Sequence, residues 1–340
     1  MERRNGARLG AVDDLDRQLP ASRWGEQISY PRSPAAASIG CPRAVSKLDW
    51  QHPPALRHNL RMSSISRRSL LGASAAGSVL AFSGLDLGAA TSGNDVGFKL
   101  GIASYSLRKF PRAEAIKMIQ RLGLKYVNIK SYHLPLDSTP DQIREARKEF
   151  EDAGLTIVGG GNIDFHKDGD ADIRHKFEYA RLAGMPLMVC APTKITLPKL
   201  QKFVEEYNIK IAVHNHGPKD NFPAPQDALK ILQDMDPRCG VCVDVAHTAE
   251  AGVKPLDAIR ASGSRMLDMH IKDMRVFGDV NSLCDVGDGV LPIADIFREL
   301  HTMDYTASVN LEYEINENDP FLGMARSYAY MHGVLAGLKR

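Results

Sequence analysis

The chain of 340 residues is 44% hydrophobic and 25% charged, ordinary globular proportions that leave room for one large domain or two modest ones. Residues 1–96 hold 12 basic and 8 acidic residues, which leaves 31 basic and 33 acidic in 97–340. The body therefore has a net charge of −2 and lacks the electrostatic footprint of a duplex-binding protein, so no nucleic-acid partner is expected.

Residues 1–61 show no sustained period of 2 or 3.6 and read as unstructured. Met62 opens MSSISRRSLLG, a leader of natural length and charge, and is the expected start of translation. The twin arginine Arg67–Arg68 before the mildly apolar run Leu70–Phe82 resembles a Tat signal over 62–92, with a cleavage zone near Gly88-Ala89-Ala90. The run is too short and too weakly apolar to span a bilayer, so no stable membrane anchor is expected. The expected partner is the Tat export machinery, and the expected location is the periplasm.

From Gly97 onward, short apolar runs alternate with helical stretches. The strand candidates are 99–105, 126–131, 156–161, 186–191, 210–216, 240–245, 266–272 and 307–313. Between them, Ala115, Ile116, Ile119 and Leu122 recur at helical spacing, as do Ile143, Ala146 and Phe150, and again Ile293, Ile296, Phe297 and Leu300. Glycines in LG, AGL and AGM stop the helices. Eight β-then-α units over 97–340 predict a single-domain α/β fold, the (β/α)8 TIM barrel, whose active sites form at the C-terminal ends of the strands. A doubly wound open sheet is the rival, but no GxGxxG follows the first strand. The five cysteines, Cys41, Cys190, Cys239, Cys242 and Cys284, are an odd number for an all-disulfide framework. Cys239-Gly-Val-Cys242 has CxxC spacing, yet Cys242 falls inside an apolar strand, which favours a buried thiol.

Alternation within the later strands separates an apolar face from a polar one. Ile211 and Val213 oppose His214 and His216; Met269 and Ile271 oppose Asp268, His270 and Lys272; Val309, Leu311 and Tyr313 oppose Ser308, Asn310 and Glu312. In chain order the strand ends offer His214 and His216, then Asp244 and His247, then His270, Lys272 and Asp273, then Glu312 and Glu314. Two imidazoles and two carboxylates drawn from these suit one divalent ion such as Zn, Mn, Co or Mg. Each residue alone is a weak signal, and Lys272 reads equally well as a salt-bridge partner of Asp273.

The motifs VDVAHT, HIKD and DVGDGVLPIADIFREL leading into NLEYE resemble those of the xylose isomerase-like TIM barrels, over 97–340 and most clearly from His214 onward. The resemblance implies metal ligands at His214, Asp244, His270 and Glu312, and a substrate-touching histidine at His247. Where this family usually has glutamate on strand five, the sequence has His214, so the paired-carboxylate epimerase mechanism lacks one of its bases. The resemblance implies a metal-dependent sugar isomerase or epimerase acting through an enediolate on a free sugar, keto-sugar or related polyol. Proton-transfer candidates are Glu312, His216, His247, Lys272 and Lys130. A lyase acting on 3-keto-glycosides and a non-catalytic sugar-binding barrel are the alternatives. A nuclease of the endonuclease IV type would need more histidines from the early strands, such as His133 and His166, and conflicts with the charge of the body.

Overall fold

The computed structural model describes residues 97–338; the leader assignment, 62–92, and the segment 1–61 lie outside the described residues. Eight parallel strands close into a barrel: β1 (Lys99–Ala103), β2 (Tyr126–Ile129), β3 (Thr156–Phe165), β4 (Leu187–Pro192), β5 (Lys210–His214), β6 (Cys239–Asp244), β7 (Met266–Ile271) and β8 (Ser308–Leu311). Each pairs with its sequence neighbours, and β1 closes the ring against β8. Helices α1 (Arg112–Arg121), α2 (Pro140–Asp152), α3 (Asp170–Leu182), α4 (Leu197–Tyr207) and α5 (Pro225–Leu232) follow the first five strands in turn. Two helices, α6 (Val245–Glu250) and α7 (Pro255–Ser262), lie between β6 and β7; α8 (Ile293–Thr302) and α9 (Phe321–Leu338) follow β7 and β8. Among the described residues, no helix is long and apolar enough to cross a membrane.

The expected (β/α)8 barrel is thus the observed fold, and its helices bury the stripes read from the sequence. In α8, Ile293, Ile296, Phe297 and Leu300 are buried, with the Phe297 ring 5.4 Å from that of Phe98. In α2, Ile143, Ala146 and Phe150 face the sheet, and a capping box between Thr139 and Gln142 starts the helix just before Pro140. Both termini follow from local chemistry: a proline tolerated at the first turn and a left-handed Gly154 after the last.

Strand ends differ from the sequence expectation. The fifth strand stops at His214 and the eighth at Leu311, so His216 and Glu312 lie on the loops just above the barrel. Strand β3 runs on to Phe165, because its register slips between Gly160 and Ile163 and absorbs extra residues. Gly161 makes that slip possible: its φ is +112°, and a Cβ there would lie 2.0 Å from the Val189 carbonyl oxygen. Cys190, Cys239, Cys242 and Cys284 are free thiols, all buried.

Inside the barrel a polar layer lies beneath the upper rim. The buried Asp268 carboxylate accepts hydrogen bonds from Asn128 Nδ2 at 3.2 Å and Asn310 Nδ2 at 2.8 Å. Burial pushes its pKa up to about 6. In register, Asp244 and Asn310 each lie opposite His270, which places Glu312 two residues above that level.

Candidate metal centre

Four side chains from the ends of β5 to β8 converge above this layer. His214, Asp244, His270 and Glu312 are all buried, and their donor atoms lie within 4.8 Å of one another. His214 Nε2 is 3.0 Å from His270 Nδ1, and Asp244 Oδ2 is 3.6 and 3.7 Å from those two nitrogens. Glu312 Oε2 lies 3.3 Å from His270 Nδ1. A tetrahedron with metal–ligand bonds of about 2.0 Å has edges of roughly 3.3 Å, so these separations fit one small cation among N and O donors.

The local fold explains why each donor points inward. Asp244 caps α6: its Oδ1 accepts from Ala246 N at 3.0 Å and His247 N at 2.9 Å. The other oxygen, Oδ2, is buried and aimed at the cluster, with the Lys272 ammonium 2.9 Å away. Asn215, turned away between the two histidines, holds β5 to α6 through the Asp244 main chain and the Thr248 hydroxyl. His214 Nδ1 is buried without a hydrogen-bond partner.

Burial, with the repulsion of His270 added, lowers the pKa of His214 to about 3 against the pull of Asp244 and Glu312. The ring is therefore neutral at physiological pH, the form that ligates metal. Burial opposes ionisation of Asp244, but Lys272 foremost, then His247, holds its carboxyl well below the ordinary value. Glu312 is depressed in the same way, burial being outweighed by His270, Lys130 and Lys272. For His270 burial opposes charge, yet Cys242, Glu312 and Asp244 favour it and raise the pKa. Metal binding at His270 would therefore release a proton.

Lys272 occupies the side of the cluster. Its Nζ lies 2.9 Å from both Asp244 Oδ2 and Glu312 Oε2, and it also pairs with Glu314. The salt bridge with Asp273 considered from sequence is not formed. Asp273 instead accepts main-chain N–H groups of Gly287, Gly289 and Leu291, clamping the DVGDG loop. Lys130 reaches the opposite side, 3.1 Å from Glu312 Oε1 and 3.3 Å from His270 Nε2. Of the two glutamates on NLEYE, Glu312 joins the cluster, and Glu314 stands further out as a Lys272 partner.

Above the four donors opens a pocket of about 150 Å³, lined by His214, His270, Glu312, Lys130, His216 and Glu314, and also by Tyr105 and Asn162. The last two were not singled out from the sequence. Tyr105 sits on a 3-10 turn after β1, packed edge-on against Tyr132 at 5.5 Å and under the Arg108 guanidinium at 4.4 Å. Asn162 follows the Gly161 bulge; the glycine run was the only signal for it. His247 stands back from the pocket lining, stacked on His216 with centroids 4.2 Å apart. His133 lies below, its Nδ1 2.9 Å from Ser104 Oγ; neither it nor His166 joins a metal-competent group among the described residues.

Residues 196–331 match the family model described as the xylose isomerase-like TIM barrel. The matched segment covers the second half of the barrel and carries all four converging donors. The solved structure of the IOLI protein with a binding zinc atom is similar at 16% identity and a TM-score of 0.59, over 71% of this chain and 99% of that one. So is 3-keto-D-glucoside 4-epimerase, YcjR, from E. coli (15%, TM-score 0.58, 69% and 99%). A D-tagatose 3-epimerase-like protein aligns at 16% and 0.57, over 71% and 98%. At these identities the likeness is one of fold. No curated protein matches the sequence.

Proposed function

We propose that this protein is a divalent-metal-dependent enzyme that moves a proton next to a carbonyl of a sugar, keto-sugar or related polyol, with isomerisation or epimerisation as the outcome. The observation that carries the reading is the convergence of His214 Nε2, Asp244 Oδ2, His270 Nδ1 and Glu312 Oε2, four of their six separations being 3.0 to 3.7 Å, at the floor of an open pocket. Those four residues would hold the ion. A zinc-class ion there supplies Lewis-acid polarisation of a carbonyl and its neighbouring hydroxyl.

The chain's own groups supply the rest. His216, on the pocket wall, takes the proton from the carbon beside the carbonyl: the C–H bond breaks, an Nε2–H or Nδ1–H bond forms, and the electron pair moves to the carbonyl oxygen. Lys130 Nζ, facing the same space, donates a hydrogen bond to that oxygen. Glu312 and Asp244 keep their negative charge through Lys130 and Lys272. Return of the proton from His216 to the adjacent carbon, with the hydroxyl proton passing to the former carbonyl oxygen, gives an isomer; an epimer forms when a water in the open pocket protonates the first carbon from the other face and His216 gives up its proton to solvent.

A second reading has its own support. His214 stands where a carboxylate would serve as a second base, so a one-base reaction that expels a leaving group from a 3-keto-glycoside is the alternative. The similarity to a protein described as a 3-keto-D-glucoside 4-epimerase supports that substrate class. Solvent exchange decides between binding and turnover: incubation of a 3-keto-glucoside in deuterated buffer with zinc should place deuterium beside the carbonyl. Recovery of unlabelled, unchanged sugar that nevertheless binds would replace the enzyme by a sugar-binding barrel. Export through the Tat route, on the strength of SRRSLLG, is part of the proposal; N-terminal sequencing of mature protein from the periplasm tests it, and an intact leader there would refute it.

A further inference from the structure

Behind the pocket wall a carboxylate, two imidazoles and a glycine form one unit outside the metal cluster. Glu250 closes α6, one turn after His247, and its Oε2 lies 2.8 Å from His247 Nδ1. The His247 ring stacks on His216 at 4.2 Å with 38° between the planes. Gly217, directly after His216, has φ +78°, and a Cβ on it would come within 2.2 Å of Glu250 Oε2. The missing side chain at 217 is thus the space that the Glu250 carboxylate fills.

We propose that Glu250 is a positioning residue for His216, acting through His247. A carboxylate only accepts hydrogen bonds, so the Glu250 contact places the His247 proton on Nδ1 and leaves Nε2 as an acceptor. With that tautomer and ring plane fixed, the stacked face of His247 holds His216 against the pocket wall, where Gly217 turns the chain away. Neither imidazole is left to choose its own rotamer. The link is short in sequence, from 247 to 250, but reaches the loop after β5 only because Gly217 carries no Cβ. This inference rests on the reading of His216 as the proton-transfer group, while the tautomer of His247 does not.

The test compares wild-type protein with Glu250→Ala and Glu250→Gln, the amide oxygen of glutamine being able to accept the same Nδ1–H. Imidazole ¹⁵N shifts should show His247 as the Nδ1–H tautomer in the wild type and in Glu250→Gln, and a loss of that preference in Glu250→Ala with movement of the His216 signals. Deuterium exchange into a 3-keto-glucoside in the presence of zinc should fall about 10- to 100-fold in Glu250→Ala, in kcat more than in KM, and recover in Glu250→Gln. Unchanged tautomer and His216 signals in a folded Glu250→Ala protein would overturn the proposal. Absence of exchange in the wild type would contradict the proposed function instead, and the ¹⁵N shifts would still decide the role of Glu250.

Discussion

His214 Nε2 and His270 Nδ1 face each other at 3.0 Å across the top of the barrel, from residues 56 positions apart. Only one proton can lie between two such nitrogens, and Asp244 Oδ2 lies 3.6 and 3.7 Å from them, with the Lys272 ammonium at 2.9 Å. A plainly structural core has little use for this grouping, since burying ionisable groups together is costly even when they are paired. A shared cation satisfies all three donors at once.

Lys272 should behave as a counter-ion that competes with that cation. Its ammonium lies 2.9 Å from the two carboxylate oxygens that face the cluster. Replacing it in Lys272→Met leaves the buried Asp244 carboxylate without its cation, which should lower the stability of metal-free protein by about 3–5 kcal/mol. Zinc should then raise the melting temperature of the variant more than that of the wild type. Equal zinc-induced shifts would show that the lysine does not oppose the ion.

The bulge in β3 should be intolerant of any side chain. At Gly161 both the φ of +112° and the 2.0 Å approach to the Val189 carbonyl oppose a Cβ. Gly161→Ala should destabilise the protein by about 1–3 kcal/mol and displace Asn162 from the pocket. Gly169→Ala, where nothing lies within 4 Å of an added Cβ, provides the comparison and should leave the melting temperature nearly unchanged.

Stability should fall on mild acidification in part through His133. Burial lowers its pKa, against hydrogen bonds with the main chain. The unfolded ring titrates near about 6.5, so below that pH the unfolded chain binds a proton that the folded protein resists. Stability from this residue is complete above the unfolded value and is lost as pH drops towards and through the lower folded one. Urea midpoints of wild type and His133→Gln, measured from pH 7.5 to 5, should converge as pH falls; parallel curves would remove His133 from the account.

Much of the barrel was legible in the sequence because parallel strands buried on both faces read as apolar runs, and the helices between them carry one apolar stripe each. Strand ends were less legible. The in–out alternation continues past the last ladder hydrogen bond, so His216 and Glu312 read as strand residues although β5 ends at His214 and β8 at Leu311. That same continuation is why the converging set could be read at all: the side-chain period persists into the loops. Tyr105, Asn162 and Glu250 were missed for a different reason. A 3-10 turn, a glycine bulge and the missing Cβ of Gly217 bring them in, and each depends on contacts between segments far apart in sequence.

Elemental analysis of the purified protein and of His270→Ala, after mild chelation and reloading with zinc, tests the central claim most directly. About one ion per chain should be retained by the wild type and lost from the variant, with Glu312→Gln as a second ligand change and circular dichroism confirming that all three are folded. Three zinc ions per chain would point to a nuclease-type centre, and a folded wild type that retains none would contradict the metal centre described for His214, Asp244, His270 and Glu312.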